Sequence, residues 1–183
     1  MNTPIREQIE RKIQEAKKKN QVASWDQYYM SMVYLVATRS KDESTNVGAV
    51  IVDEKNILVA TGYNSFPRGI NDYVPERQER PEKYYWFEHA ERNAIFCSTR
   101  ENLNGCKMYT PGLPCMDCAR AIVQVGIKEV IIHKAWDEVG WSEKWEENHK
   151  RTRELFKEAG IKTTYYTGPI LQITSKKRGV NVF

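Results

Sequence analysis

Four residues of this chain combine types and spacings that can hold a metal ion and move a proton. In EHAERNAIF a His and a Glu stand two positions apart, at His89 and Glu91. In PGLPCMDCARAI two Cys stand three positions apart, at Cys115 and Cys118. A C-x-x-C pair alone is ambiguous. It opens helices in thioredoxin-like redox sites, where the helix N-terminus favours a thiolate, and it also holds zinc. A redox pair asks nothing of His89 or Glu91. A hydrolytic zinc site needs a third protein ligand and a fourth position left for water. His89 supplies that ligand. Glu91 then falls where a carboxylate beside the water can take a proton and pass it to a leaving group. A structural zinc site usually has four protein ligands, so three ligands with a carboxylate point to catalysis.

The flanking elements must bring these two half-sites together. Each sits where a strand pattern gives way to a helix pattern, so two helices can aim their positive N-termini at one ion. Ile5, Ile9, Ile13 and Ala16 recur at helical spacing over residues 5–20. A second helix is expected over SWDQYYMSMVYLVATRS, with Ser24 as N-cap and an apolar face of Trp25, Tyr28, Met32, Leu35 and Val36. VGAVIVDEKNILVATGYN reads as a hairpin turning at DEKN. Residues 65–88 read as a long polar loop without a strand, and long loops in compact domains are often functional. Beyond it the pattern alternates: helix HAERNAIFCSTR, strand KMYTPG, helix CMDCARAIVQVG, strand KEVIIHKA, helix SEKWEENHKRTRELFKEAG and strand IKTTYY. That alternation predicts an α/β sandwich with parallel pairing in its second half. The tail GPILQITSKKRGVNVF adds an edge strand or packs on a partner chain. Cys97 and Cys106 are expected to fill the core. His133 is expected at a strand end, and His149 on a helix surface.

Composition narrows the class. The chain has 183 residues, 40% of them hydrophobic, which fits one domain with extensions. No apolar run reaches the roughly 20 residues a bilayer span needs. The start, MNTPIREQIERKIQEAKKKN, lacks the apolar segment of a secretory signal, so a cytoplasmic location is expected. The net charge of +4 permits an anionic ligand. No basic segment interleaved with aromatics is present to hold a polynucleotide strand.

The pattern H-x-E…P-C-x-x-C matches the zinc deaminase signature. With VGAVIV, GYNSFPRG, HAERNAI, PCMDCARAIVQVGIKEVI and KEAGI, the chain from Trp25 to Tyr166 resembles the deoxycytidylate (dCMP) deaminases of the cytidine deaminase superfamily. The fuller H-A-E-x-N-A-I, with its upstream G-Y-N-x-x-P-x-G, favours that branch over the tRNA adenosine, riboflavin-pathway and free-cytidine branches. The resemblance implies a three-layer α/β/α sandwich with a five-stranded mixed sheet. Its domain would span 24–167, behind a helical extension over 1–23 and ahead of a tail over 168–183. It implies one Zn2+ per chain on His89, Cys115 and Cys118, and hydrolysis of dCMP to dUMP and ammonia, feeding thymidylate synthesis. A related cytosine or 5-substituted cytosine nucleotide or nucleoside is the alternative substrate. Glu91 would protonate N3 and then the leaving ammonia. Asn64 would bond the sugar, and the carbonyl of Pro114 or a neighbour would accept from the exocyclic amine.

Trp136, expected just after a strand, would stack on base or sugar, or pack in the core or an interface. Arg68, Arg77, Arg80, Lys83 and Arg92 lie near the site in sequence, and the phosphate is expected to meet at least one of them, with Arg68 and Arg92 foremost. The resemblance further implies a homo-oligomer, often a hexamer, and dCTP and dTTP effectors, with Mg2+ accompanying a nucleotide effector. Ser65 departs from the G-Y-N-G of the regulated members. The loop before His89 contains no Cys and no His, so the second, structural zinc of many microbial relatives is not expected. The aromatic run Tyr84 to Phe87 would pack that loop instead.

Overall fold

The computed structural model describes residues 22–100, 102–138, 143–172, 176–177 and 180–181. The helix expected over residues 5–20 lies outside them. The first helix, α1 (Trp25–Ala37), starts as expected: the Ser24 hydroxyl oxygen accepts from the Gln27 N–H, and Asp26 stands in the first turn. Its buried stripe matches the expected one only at its edge, where Met32 and Val36 are partly buried against the core. Tyr29, Met30, Val33 and Ala37 face the core, whereas Trp25, Tyr28 and Leu35 are 55%, 43% and 53% exposed. Both stripes have helical spacing, so periodicity cannot choose between them. Close packing on the sheet does: a Cβ on Gly48 would lie 2.1 Å from the Val33 carbonyl oxygen.

β1 (Gly48–Val52) and β2 (Leu58–Tyr63) form the expected antiparallel hairpin. In its turn, Asp53 Oδ1 accepts from the N–H groups of Lys55 and Ile57, and Asn56 takes a left-handed φ of 58°. β3 (Lys107–Thr110), β4 (Glu129–His133) and β5 (Lys162–Tyr166) complete one five-stranded sheet, in the order β2-β1-β3-β4-β5. β1 runs antiparallel to β2 and β3, while β3, β4 and β5 pair in parallel. The expected parallel second half and mixed sheet are both present.

The two faces of β1 divide the core. Val50 and Val52 pack with Tyr29, Met30 and Val33 of α1. Ala49 and Ile51 pack with residues of three helices on the other face: α3 (Ala90–Cys97), α4 (Met116–Gln124) and α6 (Glu143–Glu158). The result is a three-layer α/β/α sandwich. Left-handed Gly126 (φ 83°) and Gly160 (φ 69°) close α4 and α6.

Three segments differ from expectation. β4 ends at His133, and Lys134–Asp137 forms a short helix, α5, so Trp136 sits on a helical turn. The loop over 65–88 contains a 3-10 turn (Pro75–Gln78), a short helix α2 (Lys83–Trp86) and a β-bridge between Ser65 and Glu88. In the tail, β6 (Lys176–Lys177) and β7 (Val180–Asn181) pair with each other rather than with the main sheet. Ahead of them, Ile170 packs on the α1 layer and the Leu171 N–H donates to Ser31 Oγ. Among the described residues, no helix is long and apolar enough to cross a membrane.

Candidate active site

His89 and Cys115 are the N-caps of α3 and α4. Glu91 and Cys118 follow in the first turns. Pro111 and Pro114 bias the residues before them to extended backbone, and α4 begins at Met116 with Cys115 as its N-cap. α3 lies directly on β2: a Cβ on Gly62 would stand 2.2 Å from Ala94 N and 2.3 Å from Ala90 O. Only glycine permits this approach, which sets the height of His89 and Glu91 above the sheet.

His89 Nδ1 lies 3.4 Å from Cys115 Sγ and 3.5 Å from Cys118 Sγ. A tetrahedral zinc with ligands at about 2.3 Å (S) and about 2.0 Å (N) requires roughly that spacing between N and S. The donor atoms fit the ion in number, type and separation. Among the described residues this is the one such cluster of three His, Cys, Asp or Glu side chains. The Cys115 thiol is held down at about 4, first by the hydrogen bond from Cys118 and then by His89. Cys118, donating to that thiolate, is pushed up, and His89 is raised to about 9 by its bond to Cys115. A metal entering the site therefore displaces protons. Glu91 is buried, with Oε2 3.6 Å from Cys118 Sγ. Burial pushes its carboxyl up, against the opposing charge of His89.

His89, Glu91 and Cys115 open onto a cavity of about 270 Å³. Thr110 to Leu113 line it, with Asp42, Thr45, Val47 and Asn64. The loop before His89 adds Arg80, Lys83, Tyr84 and Phe87, and α5 and α6 add Trp136, Trp145 and His149.

The expected contact residues divide. His89, Glu91, Cys115 and Cys118 come together, and Asn64 and Trp136 line the cavity. Both N–H groups of the Asn64 amide are engaged, by Asp42 Oδ2 at 3.1 Å and Thr45 O at 2.8 Å, and its Oδ1 accepts from Val47 N–H at 2.8 Å. Pro114 is buried outside the lining, and its carbonyl accepts from Thr152 Oγ1 at 3.0 Å. Arg68 is exposed and reaches Cys97 Sγ, which is itself exposed rather than in the core. Arg92 pairs with Glu88, whose Oε1 also accepts from the His89 N–H. Arg77 lies 3.7 Å over the Trp86 ring. Arg80 and Lys83 are the members of the basic group that line the cavity.

Cys106 is buried as expected, and Phe87 packs against Phe66. Ser65, buried, exchanges both backbone hydrogen bonds with Glu88. His133 ends β4 with Nδ1 2.7 Å from Tyr34 Oη. His149, expected at the surface, is 1% exposed. The sequence did carry a signal for it. In EKWEENHKRTRELFKE the uncharged residues are Trp145, Asn148, His149, Thr152, Leu155 and Phe156, and they share one helical stripe. Asp42 had a weaker sign, a short polar D-E-S-T turn in which its Oδ1 accepts from Ser44 N–H and Thr45 N–H.

An α/β/α sandwich with a His/Cys/Cys cluster at two helix starts, and a buried carboxyl against it, defines a zinc-binding deaminase domain. The family model described as "Cytidine and deoxycytidylate deaminase zinc-binding region" matches residues 23–134. The chain belongs to the cytidine and deoxycytidylate deaminase family. It is 39% identical to mouse deoxycytidylate deaminase over 158 residues, covering 82% of this chain and 84% of the mouse protein. The human deoxycytidylate deaminase is 38% identical over 152 residues, covering 79% and 81%. The crystal structure of dCMP deaminase from the cyanophage S-TIM5 in apo form shares the fold, with a TM-score of 0.56 at 22% identity, over 77% of this chain and 96% of that one.

Proposed function

We propose that this chain hydrolyses dCMP to dUMP and ammonia, through a deaminase domain spanning 24–167 that holds one zinc ion. The observation that carries the reading is Glu91, buried against the His89, Cys115 and Cys118 cluster at a cavity, in a chain 39% identical to a deoxycytidylate deaminase. Bound by His89, Cys115 and Cys118, zinc supplies Lewis acidity that brings the pKa of a water towards about 7. Glu91 moves the protons. Burial raises its proton affinity, so it can take a proton in the cavity, place it on N3 of cytosine and later deliver one to the departing amine. Protonation at N3 draws electrons from C4 and prepares it for attack.

The other lining residues hold the substrate. The Asn64 N–H groups are engaged within the protein, so what remains to it is an Oδ1 lone pair, which accepts from a sugar hydroxyl. Backbone carbonyls of Thr110 to Leu113 accept from the exocyclic amine, and Trp136 stacks on base or sugar. Lys83 is neutralised by Asp42 and His89 serves the metal, so Arg80 supplies the fixed positive charge for the 5′-phosphate. Trp25, Tyr28 and Leu35, exposed along α1, support assembly into a homo-oligomer. Four free cysteines fit a reducing cytoplasm.

Ammonia release from cytidine, deoxycytidine, CMP, dCMP, dCTP and 5-methyl-dCMP tests the reading. The highest kcat/KM is expected for dCMP. Turnover of deoxycytidine at the same efficiency would move the assignment to a nucleoside deaminase.

A further inference from the structure

Cys115 is gripped on both sides by one helix that contributes no metal ligand. On its C-terminal side, the Met116 N–H donates to Asn148 Oδ1 at 2.9 Å. On its N-terminal side, the Pro114 carbonyl accepts from Thr152 Oγ1 at 3.0 Å. The two bonds have opposite polarity, bracket a single residue, and come from positions i and i+4 of α6. Resting on the zinc reading above, we infer that Asn148 and Thr152 are positioning residues for Cys115 and set how tightly the protein holds its metal.

The chemistry of a helix start explains why such a device is needed. The first N–H groups of a helix have no partner inside it, and an N-cap side chain normally accepts from one of them. The N-cap of α4 is Cys115, and its side chain makes no capping hydrogen bond. An N-cap side chain reaches the N–H groups of the second and third helical residues, so the N–H of the first, Met116, takes its partner from outside α4. Asn148 accepts from the first of these N–H groups, that of Met116, across the interhelical gap.

The same constraint acts before the ligand. The Pro114 carbonyl is in buried chain, and the fully buried Thr152 hydroxyl satisfies it. Apolar contact between α4 and α6 alone would allow the PGLPC segment to slide. Two directional bonds define the peptide planes on either side of Cys115, and with them the direction of its Cβ. α6 is itself anchored by Phe156, 1% exposed in the core, and its Trp145 and His149 line the cavity. One stripe of α6 thus joins the core, the Cys115 peptides and the substrate cavity.

The test measures zinc Kd by chelator competition in wild type, Asn148→Ala, Thr152→Val, Thr152→Ser and, as a stability control, Leu155→Ala. Each protein is first checked for folding by circular dichroism and Tm. Loss of groups that orient a metal ligand typically weakens metal binding by about 10–100-fold. Asn148→Ala and Thr152→Val are expected in that range. Thr152→Ser, which keeps the hydroxyl, should stay within about threefold. Leu155→Ala should lower Tm without moving Kd comparably. In the Co2+-substituted proteins, the thiolate-to-metal charge-transfer bands should change in the first two variants and be restored in Thr152→Ser. Folded Asn148→Ala and Thr152→Val proteins with wild-type Kd and wild-type Co2+ spectra overturn the inference. If one of the two fails to fold, the other decides. A wild-type protein that holds no zinc would sink the zinc reading itself, a separate outcome.

Discussion

The Lys83 ammonium lies 2.5 Å from Asp42 Oδ1, with the two side chains 9% and 5% exposed. The pair joins the turn before β1 to the helix α2, and Asp42 Oδ2 extends the link to Asn64. Burial alone would push the Asp42 carboxyl up. Lys83 and the N–H groups of Ser44 and Thr45 overcome that and hold it below its ordinary value. Two segments that line the cavity are therefore clasped by one ion pair.

Asp42→Asn should destabilise the protein by about 3–5 kcal/mol, because it strands a buried ammonium. Lys83→Met in the same background should recover part of the loss. A depressed carboxyl pKa contributes stability that is complete above the unfolded value of about 3.9 and is lost as pH falls through the folded one. Thermal melts of wild type and Asp42→Asn should thus be separated by a constant gap at neutral and mildly acidic pH. The gap should close below about pH 4. An undiminished gap well below that pH would remove Asp42 ionisation from the explanation.

Glu91→Gln should keep zinc content and fold while kcat falls by at least about 10²–10⁴-fold. Glutamine fills the same space but cannot carry a proton between N3 and the amine. Metal analysis beside steady-state kinetics checks this, and activity within about tenfold of wild type would give Glu91 a packing role only.

Arg80→Ala should lower kcat/KM for dCMP by roughly 10–100-fold, the worth of one charge-assisted bond of about 1.5–3 kcal/mol. Deoxycytidine turnover should change by no more than about threefold. Arg68→Ala, which alters a residue outside the cavity, should leave both substrates near wild type. Parallel kinetics with the two substrates settle the point: an equal loss for both, or a loss confined to Arg68→Ala, would remove Arg80 from phosphate recognition.

Gly62→Ala should cost about 1–3 kcal/mol or more, since its Cβ would enter the α3 backbone, where neither side can yield cheaply. It should also weaken zinc, because α3 begins beside His89. Gly69 has a φ of 81° and nothing within 4 Å of an added Cβ. Gly69→Ala should cost only about 1 kcal/mol of backbone strain and leave zinc binding unchanged. Urea melts of the two variants, with zinc titrations, make the comparison.

Light scattering of wild type should give a multiple of the 21.4 kDa chain mass. Leu35→Glu, on the exposed face of α1, should shift the population towards monomer without lowering secondary structure content. A wild-type mass of one chain at micromolar concentration would remove the assembly proposal.

The His89, Cys115 and Cys118 cluster, the Glu91 carboxyl beside it and the order of the main elements were legible in the sequence because each is encoded in contiguous residues. H-x-E and P-C-x-x-C place their groups by local spacing at two helix starts. The alternation of apolar periods from VGAVIV to IKTTYY sets out the strands and helices that follow. Only tertiary structure decided which cations enter the cavity, which stripe of α1 is buried and what α6 does. Arg68 and Arg80 are equivalent as sequence, but one turns to Cys97 and the other to the cavity. His149 lies in a charged helix, yet it is buried because α6 lies over the metal loop. The deciding contacts join residues far apart in the chain, 41 positions from Asp42 to Lys83 and 38 from Pro114 to Thr152. Local propensity has no access to such pairs. They exist because the mixed sheet carries helices on both faces, and burial between the layers leaves each polar group to find its partner across the fold.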